Sequence, residues 1–384
     1  MSLICRLRLM NDNFGLQIKE NFTILEKDRG IGMNLTEQKT YREDLEYICN
    51  LNLPWNKLEN KNMLISGATG MIGSFLIDAI LYKNEKENLN CTIYAMGRNE
   101  NKAKERFSYC WEKEEFHFVT HDINQPLEWN GKGTIDYILH LASNTHPVAY
   151  ATDPIGTITA NIMGTYHMLE FAAGHEAERV VFASSNEIYG ENRGDEEKFK
   201  ETYCGYIDCN TMRAGYPESK RCGEALCQAY IVQKGLDIVI PRLTRSYGPT
   251  LLKSDTKALS QFLKKGIAGE DIVLKSAGTQ YYSYTYVADA VAGLLTVLLC
   301  GKKGEAYNIS DEASDVMLKD LAGIIAKICS TKVVFELPDA VEAAGFSKAT
   351  KARLDNEKIK ELGFQAGYDL EKGIRRTIEL LAEE

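Results

Sequence analysis

The sequence predicts an α/β protein in which a doubly wound parallel sheet is followed by a smaller C-terminal α/β domain. From Lys61 to Pro241, short apolar strands alternate with amphipathic helices, which is typical of parallel β-α-β units with right-handed crossovers. A glycine-rich turn joins the first strand to the first helix. The chain has 384 residues, well above the roughly 150 residues of an average domain, so we expect a second domain.

Each predicted element follows from its local pattern. Strands are predicted where short apolar runs end in polar or turn residues, over 63–66, 92–96, 116–120, 137–142, 180–184 and 237–241. Helices are predicted through Phe75 and Ile80 and over 155–173 and 213–233. Beyond Pro241 the alternation weakens, and we expect segments near 190–212, 250–282 and 308–384 to cover the carboxyl ends of the strands, where such sheets bind ligands.

Composition and charge exclude several classes of protein. Hydrophobic residues make up 44% and charged residues 26%, an ordinary globular balance. We expect no membrane span, because no apolar run reaches about 20 residues. We expect no secretory signal, because no N-terminal stretch combines a basic end, an apolar core and a small-residue cleavage site. The net charge of −9 argues against nucleic acid or an anionic membrane as partner. The ten cysteines include no C-x-x-C pair, which predicts no metal site and a reduced, cytoplasmic protein.

The glycine turn predicts a dinucleotide site. Gly67, Gly70 and Gly73 permit a tight turn and a close approach of pyrophosphate to the backbone, and the helix N-terminus adds N–H donors. A purely structural turn is the alternative. The second strand ends at Arg98 without the acidic residue that usually meets a ribose 2′-OH, which favours NADP over NAD unless Arg98 is simply solvated. Asp122, after the third strand, is placed to accept from the adenine amino group.

The chain is therefore expected to contain three regions. Residues 1–60 form a partly helical N-terminal extension, in which Tyr41, Leu45 and Ile48 predict a helix near 37–49. Residues 1–32 are expected to be weakly packed, and an interaction arm is one role considered for the extension. Residues 61–245, with returning segments near 283–308, form a Rossmann-like dinucleotide-binding domain, and residues 246–384 form mainly the substrate-binding domain.

Two clusters carry the predicted chemistry. Ser185 and Glu187 lie two residues apart at the end of the fifth strand, so a continuing strand would direct both into one pocket. Tyr216 and Lys220 lie four apart on one helix face. An ammonium group and a cationic nicotinamide near the phenol lower its pKa, which makes Tyr216 the predicted general base. The alternatives are an ordinary helix aromatic for Tyr216 and a salt-bridged strand-end carboxylate for Glu187.

These residues resemble the extended short-chain dehydrogenase/reductases of the NAD-dependent epimerase/dehydratase family, and within it the UDP-glucuronate decarboxylases and nucleotide-sugar 4,6-dehydratases. The resemblance covers about residues 62–380. The motifs that carry it are Gly67-Ala-Thr-Gly-Met-Ile-Gly73, His140-Leu-Ala-Ser143, Asp153-Pro-Ile-Gly-Thr157 through Asn161 to Gly164-Thr165, Ser185-Asn-Glu187, Arg213 with Tyr216-x-x-x-Lys220-Arg221-x-x-Glu224, Tyr247-Gly-Pro249 and Tyr286-Val-Ala-Asp289.

The resemblance implies an NAD(P)-dependent nucleotide-sugar lyase or epimerase. Tyr216 would take the proton of the sugar 4-OH while hydride leaves C4, with Ser185 on that oxygen and Lys220 on the cofactor ribose. The 4-keto group then acidifies the C5 hydrogen or makes a C6 carboxylate a β-keto acid that loses CO₂. Hydride is returned, so the cofactor is expected to stay tightly bound. The expected cofactor contacts are Gly67, Thr69, Gly70, Met71, Ile72, Gly73, Arg98, Asp122, Ile123, Leu141, Ala142, Ser143, Asn161, Tyr216 and Lys220.

Four positions leave the reaction open between decarboxylation, dehydration and epimerisation. Simple 4-epimerases usually carry a small residue at the position of Glu187. Asn186 stands where dTDP-glucose dehydratases carry an aspartic acid, Tyr282 where many relatives carry an arginine that meets phosphate or carboxylate, and Arg245 where they carry asparagine. Ser185, Asn186, Arg245 and Tyr282 are the expected substrate contacts.

The expected partner is a nucleotide-diphosphate sugar. A nucleotide-sugar 4-epimerase is the alternative activity, and a non-catalytic NAD(P)-binding redox sensor is the alternative of a different class, against which Tyr216 and Lys220 both argue. A homodimer is expected because the helices over 155–173 and 213–233 carry apolar residues beyond one sheet-facing stripe. These residues are Ile162, Tyr166, Met168, Leu226, Ala229 and Ile231.

Overall fold

The computed structural model describes residues 34–131, 133–145, 147–336 and 350–382. At its centre is an eight-stranded parallel sheet, and the predicted doubly wound α/β fold is confirmed. Its strands are β1 (Asn62–Ser66), β2 (Thr92–Gly97), β3 (Phe116–Thr120), β4 (Tyr137–His140), β5 (Arg179–Phe182), β6 (Ser184–Ser185), β7 (Ile238–Leu243) and β11 (Ala306–Ile309). The order across the sheet is β11-β7-β5-β4-β1-β2-β3, and β6 continues beside β7.

Both faces of the sheet are covered by helices, and side chains alternate between two cores. On β1, Met63 and Ile65 join one core and Leu64 joins the other, as the period of two of a strand requires. The helices are α1 (Lys39–Cys49), α2 (Met71–Glu87), α3 (Glu100–Arg106), α4 (Pro147–Thr152), α5 (Pro154–Gly174), α6 (Gly215–Lys234), α7 (Ala258–Ile267), α8 (Val287–Cys300), α9 (Leu318–Cys329), α10 (Glu357–Lys360) and α11 (Leu370–Ala382). No helix of the described ranges is long and apolar enough to cross a bilayer.

Local signals explain where the two longest sheet-covering helices begin and end. Pro154 opens α5, and the carboxylate of Asp153 accepts from the Gly156 N–H at 3.0 Å as an N-cap. The helix α6 ends at Gly235, whose φ of 75° is the left-handed conformation that glycine adopts at helix C-termini.

The C-terminal part of the chain contributes to two layers. The helix α8 and the strand β11 return to the large sheet, where β11 pairs with β7. The remaining strands are β8 (Arg245–Tyr247), β9 (Ile272–Leu274), β10 (Tyr281–Tyr286), β12 (Asp315–Met317), β13 (Val333–Phe335) and β14 (Lys351–Ala352). The strand β10 pairs with β8, β12 and β14, and β9 pairs with β13. These small sheets lie beyond the carboxyl end of β7.

The N-terminal helix α1 belongs to the core. Its residues Tyr41, Leu45 and Ile48 are buried, as its pattern predicts. Asp44 accepts from the Tyr286 hydroxyl at 2.5 Å and from Arg376 Nε at 2.8 Å. An interaction arm is therefore wrong for the segment that α1 covers. The expectation of weak packing for residues 1–32 lies outside the described residues.

The apolar stripes predicted on α5 and α6 need correction. Met168 is 1% exposed and packs toward the sheet, while Leu226 and Ile231 are half-buried against the same core. Tyr166 (40% exposed), which the prediction included, does expose apolar surface on α5, and so does Ile155 (76%), which it did not include. The prediction assigned Met168 to the outer face of α5, which is wrong, because residue spacing alone does not show which of two apolar faces packs against the sheet.

Candidate active site

The glycine turn has the geometry of a phosphate cradle. Gly67 has a φ of 71°, and a Cβ there would lie 2.8 Å from the amide nitrogen of Ala142. A Cβ on Gly73 would lie 2.5 Å from the Gly67 carbonyl oxygen. Gly70 precedes α2 without any side-chain cap, so the first-turn N–H groups are available to an anion. A dinucleotide pyrophosphate fits a backbone surface of this kind.

The loop after β4 is held against the glycine turn. The Ser66 hydroxyl accepts from the N–H groups of Leu141 (3.1 Å) and Ala142 (3.2 Å) and is hydrogen-bonded to His140 Nδ1 at 2.8 Å. Burial lowers the pKa of His140 to about 3, so the imidazole is neutral. His140 is thus a buried core residue.

The residues predicted to meet the adenosine lie at the carboxyl ends of β2 and β3. Arg98 and Asp122 are both exposed there. The Asp122 carboxylate accepts from the backbone N–H and the side-chain amide of Asn124, and these bonds, with a smaller contribution from Arg98, lower its pKa. Ile123 packs so closely on α5 that a Cβ on Gly164 would lie 2.7 Å from its Cδ1. Ile123 therefore sets the distance between this edge of the sheet and α5.

Asn161, predicted to contact the cofactor, uses its amide within the protein. Its Oδ1 accepts from the Ser143 hydroxyl at 2.7 Å, and its Nδ2 donates to Ser219 Oγ at 2.9 Å. Asn161 is 1% exposed. The amide joins the end of β4 to the first turn of α6 and so orients the residues that carry the chemistry.

Tyr216 is brought to the carboxyl ends of the central strands, as the sequence predicts. The hydroxyls of Ser185 and Ser143 lie near enough to its own hydroxyl to act on its pKa. Burial and the negative charge of Glu187 raise the pKa of Tyr216, and the two hydroxyls and Arg213 only partly oppose this. The phenol is therefore neutral in this structure, and it needs a further positive charge beside it before it can act as a base.

Lys220 lies one helical turn beyond Tyr216 and is 3% exposed. Its Nζ donates to the Ala183 carbonyl at 2.8 Å and lies 5.0 Å from the centre of the Phe182 ring. Burial lowers the pKa of Lys220 to about 8. The ammonium form still dominates at neutral pH, so it can donate to a ribose hydroxyl and stabilise a phenolate.

The strand does not continue from Ser185 to Glu187, contrary to the expectation. A 3-10 turn over Asn186–Tyr189 begins there, because the Ser185 hydroxyl accepts from the Glu187 N–H at 3.2 Å and caps it. Asn186, an expected substrate contact, is buried in that turn. The turn, and not the alternation of side chains along a strand, therefore brings Glu187 close to Tyr216.

Arg213 and Tyr150 are functional candidates that the sequence analysis did not assign. Both oxygens of Glu187 accept from Arg213 Nη2, at 2.8 and 2.7 Å. The Arg213 guanidinium also lies 4.8 Å from the centre of the Tyr150 ring, which stacks on Tyr216 at 4.9 Å and 26°. Arg213 stands in a recognised motif three residues before Tyr216, but Tyr150 carries no local signal.

Arg245 and Tyr282, the two unusual positions, form a pair. The strand β8 runs beside β10 with Arg245 opposite Tyr284, and the Arg245 guanidinium lies 3.5 Å from the centre of the Tyr282 ring. Arg245 Nη1 is buried and has no hydrogen-bond partner among the described residues. The charges of Glu187 and Arg213 act on Tyr282, which places this pair in the same cleft.

A glycine cradle beside a buried tyrosine and lysine defines a nicotinamide-dependent enzyme of the short-chain dehydrogenase/reductase type. The sequence pattern of the NAD dependent epimerase/dehydratase family matches residues 63–310, and the chain belongs to this family. The predicted membership is confirmed, as is an enzyme that modifies nucleotide sugars with a nicotinamide cofactor.

Curated relatives and solved structures agree with this assignment. UDP-glucuronic acid decarboxylase 3 of Arabidopsis thaliana is 30% identical over 82% of this chain and 87% of its own. UDP-glucuronic acid decarboxylase 1 of Danio rerio is 28% identical over 85% of this chain and 74% of its own. The fold is shared with a dTDP-glucose 4,6-dehydratase of Streptomyces venezuelae solved with NAD, at a TM-score of 0.69, 22% identity, and 83% and 96% coverage of the two chains. For a UDP-glucuronic acid 4-epimerase of Bacillus cereus the TM-score is 0.70 and the identity 21%, over 83% of this chain and 98% of that protein.

Proposed function

We propose that this enzyme decarboxylates a nucleotide-linked uronic acid, with UDP-glucuronate as its substrate. The observation that carries the proposal is the pairing of Glu187 with Arg213. Both oxygens of this carboxylate accept from a guanidinium, at 2.8 and 2.7 Å, so the side chain is held in a charge-assisted pair and is not free to approach the C5 hydrogen. Dehydration starts with removal of the C5 proton by a base, whereas a β-keto acid loses CO₂ without one.

The residues of the cleft have separate roles in this reaction. Tyr216 accepts the 4-OH proton as C4 is oxidised, Ser185 donates to the C4 oxygen, and Lys220 donates to the ribose and favours the phenolate. A nicotinamide held by the glycine turn and Lys220 would supply a hydride acceptor, a later hydride donor and positive charge. When the C5–C6 bond breaks, its electron pair passes to an enolate whose oxygen Ser185 and Tyr216 stabilise, and C5 then takes a proton. Tyr216 returns its proton to the C4 oxygen at the end.

Arg245 is proposed to hold the anionic part of the substrate. Its stacking on Tyr282 fixes the plane of the guanidinium, and its buried Nη1 has no partner in the described part of the chain. A guanidinium held in this way can bind a carboxylate or a phosphate with two parallel hydrogen bonds. Asn186 and Tyr282 complete the expected substrate contacts.

The dinucleotide is proposed to be NAD or NADP, retained during purification. Arg98 at the end of β2 supports NADP, and the 2′-phosphate would lie beside its exposed guanidinium. We also propose a cytoplasmic enzyme. The cofactor can be identified by heating the purified protein, which releases the dinucleotide, and measuring the mass of the dinucleotide by mass spectrometry.

The decisive assay compares UDP-glucuronate with UDP-glucose. We expect CO₂ and a UDP-pentose from UDP-glucuronate, with one solvent deuterium at C5 when the reaction is run in D₂O, and no product from UDP-glucose. The Arg245→Asn variant should bind UDP-glucuronate roughly ten- to hundredfold more weakly, because a charge-assisted hydrogen bond contributes about 1.5–3 kcal/mol. A 4-keto-6-deoxy sugar from UDP-glucose would contradict the proposal, and an epimer formed without CO₂ would assign a 4-epimerase instead.

A homodimer through α5 and α6 is also proposed. Ile155 and Tyr166 leave apolar surface exposed on one side of α5, and an isologous contact would cover it. Light scattering at micromolar concentration should give twice the 43.1 kDa chain mass. The Ile155→Glu variant should shift this mass toward the monomer, whereas Phe335→Glu, an equally drastic change on β13, should not. A wild-type mass near that of one chain would refute the dimer.

A further inference from the structure

Behind the catalytic residues, Glu224 forms the centre of a buried polar network. Glu224 lies on α6, one turn beyond Lys220. Its two carboxylate oxygens accept from Arg242 Nε at 3.0 Å and Nη2 at 2.7 Å, a bidentate pair. The first of these oxygens also accepts from the Ser184 hydroxyl at 2.5 Å. Ser184 immediately precedes Ser185 in β6.

The network continues from Arg242 into segments that are distant along the chain. Arg242 Nη1 donates to the Tyr189 hydroxyl at 2.9 Å and to the Glu201 carbonyl at 2.6 Å. The Tyr189 hydroxyl donates to Asn308 Oδ1 at 2.5 Å, and Asn308 Nδ2 donates to the Asp355 carbonyl at 2.9 Å. The carboxylate of the catalytic helix is therefore fixed from several directions.

Stability alone does not account for such a network. Tyr189 and Asn308 are 0% exposed, and the side chains of Arg242 and Glu224 are 10% and 15% exposed, so the ion pair is largely withdrawn from water. The cost of removing two charges from water offsets much of their attraction, and apolar groups of similar volume often stabilise a fold as well. The position of the network instead relates it to the reaction, because Glu224 contacts Ser184, next to Ser185, and lies one turn beyond Lys220 on α6.

We propose that Glu224 is a positioning residue that acts through two neighbours. Through the Ser184 hydroxyl it holds the end of β6, and with it the Ser185 hydroxyl beside Tyr216. Through its negative charge it keeps the Lys220 ammonium protonated. This inference rests on the proposed roles of Tyr216 and Lys220 in oxidation at C4, and it does not depend on whether decarboxylation follows.

The groups around Lys220 show why the charge of Glu224 matters. The titratable groups that act on Lys220 are Cys227 and Glu224 from α6 and His140 from β4, with Tyr216 one turn away. Burial raises the pKa of Cys227 and of Tyr216, and it lowers that of His140 to about 3, so all three are neutral. Glu224 is the remaining negative charge of this group. Because burial already lowers the pKa of Lys220 to about 8, loss of Glu224 lowers it further.

The variant Glu224→Gln removes the charge and keeps the size of the side chain. We expect the dinucleotide to remain bound. The single-turnover rate of oxidation at C4, read from the transient absorbance of reduced nicotinamide, should fall by up to about a hundredfold, because small displacements of catalytic groups have effects of that order. The alkaline limb of kcat/KM against pH should move to lower pH, because Lys220 loses its proton earlier. The Lys220 pKa, followed by carbon-13 NMR of the lysine side chains, should fall whatever substrate is used.

Two further variants separate the roles. The carboxylate of Asp237 pairs with Arg179 Nη2 at 2.8 Å, at the amino ends of β5 and β7 and away from Lys220. Asp237→Asn breaks this pair, so it should lower the stability of the fold and leave the dependence of kcat/KM on pH unchanged. Ser184→Ala removes the hydroxyl alone, so it should lower kcat and leave the alkaline limb in place.

The outcomes decide the proposal in either direction. A folded, dinucleotide-loaded Glu224→Gln protein with an unchanged Lys220 pKa or an unchanged pH profile would overturn it. If Glu224→Gln does not fold, Ser184→Ala decides: a wild-type kcat overturns the proposal, and a lowered kcat with bound dinucleotide supports it. Both UDP-glucuronate and UDP-glucose serve as probes, so a failure of decarboxylation is distinguishable from a failure of this inference.

Discussion

Replacing Tyr216 by Phe should abolish turnover and leave the dinucleotide bound. The variant removes one oxygen from a ring that stacks on Tyr150, so packing and the glycine cradle are preserved. A positioned acid-base group contributes up to about ten-thousand-fold to a rate, and we expect a loss of that order in kcat. The measurement is kcat with UDP-glucuronate, together with the dinucleotide content of the purified variant.

The matched control is Tyr82→Phe, which removes the same oxygen from a half-buried tyrosine on α2, remote from Ser185 and Lys220. It should retain wild-type kcat. If Tyr216→Phe turned over at a rate near that of this control, Tyr216 would not be the base and the proposed reaction would need another one.

Replacing Gly67 by Ala should eliminate dinucleotide binding. The added Cβ would lie 2.8 Å from the Ala142 nitrogen, at a φ of 71° that side chains rarely adopt. The strained backbone costs of order 1–3 kcal/mol, and relief of the contact would push the turn out of its cradle shape. Mass spectrometry of the heat-released dinucleotide should show none, and the melting temperature should be lower than that of the wild type.

Gly323→Ala is the comparison for that variant. Gly323 lies within α9, has an ordinary φ and has open space where its Cβ would stand, so alanine there should be neutral or stabilise the helix by up to about 1 kcal/mol. Stoichiometric dinucleotide in Gly67→Ala would show that the turn binds no pyrophosphate.

Much of the fold and of the site could be predicted because the signals are local. Strand alternation between Lys61 and Pro241 identified the sheet region, and glycine spacing identified the turn before α2. Tyr216 and Lys220 lie four apart, and a helix places such residues on one face whatever surrounds it. Segments near 283–308 were predicted to return to this domain, but the pairing of β11 with β7 was not, because a strand that returns after α8 carries no local sign of its neighbour.

The partners of the key side chains could not be predicted. Nothing local indicates that Arg213, 26 residues from Glu187, would take both of its carboxylate oxygens. The turn that directs Glu187 depends on capping by the Ser185 hydroxyl, a choice between strand and turn that sequence spacing leaves open. Met168 was assigned to the outer face of α5 for a similar reason, because the spacing of apolar residues does not show which face of a helix packs against the sheet.

By itself, the sequence determined the class of fold, the glycine turn before α2 and the placement of Tyr216 and Lys220 on one helix face, because each depends on a repeat or spacing within one element. Only the tertiary structure decided that Arg245 lies over Tyr282, since this follows from the pairing of β8 with β10. It alone joined Asp44 of α1 to Arg376 of α11, 332 residues apart. Contacts of this kind depend on strand register and helix placement, which the whole packed chain decides and no segment carries alone.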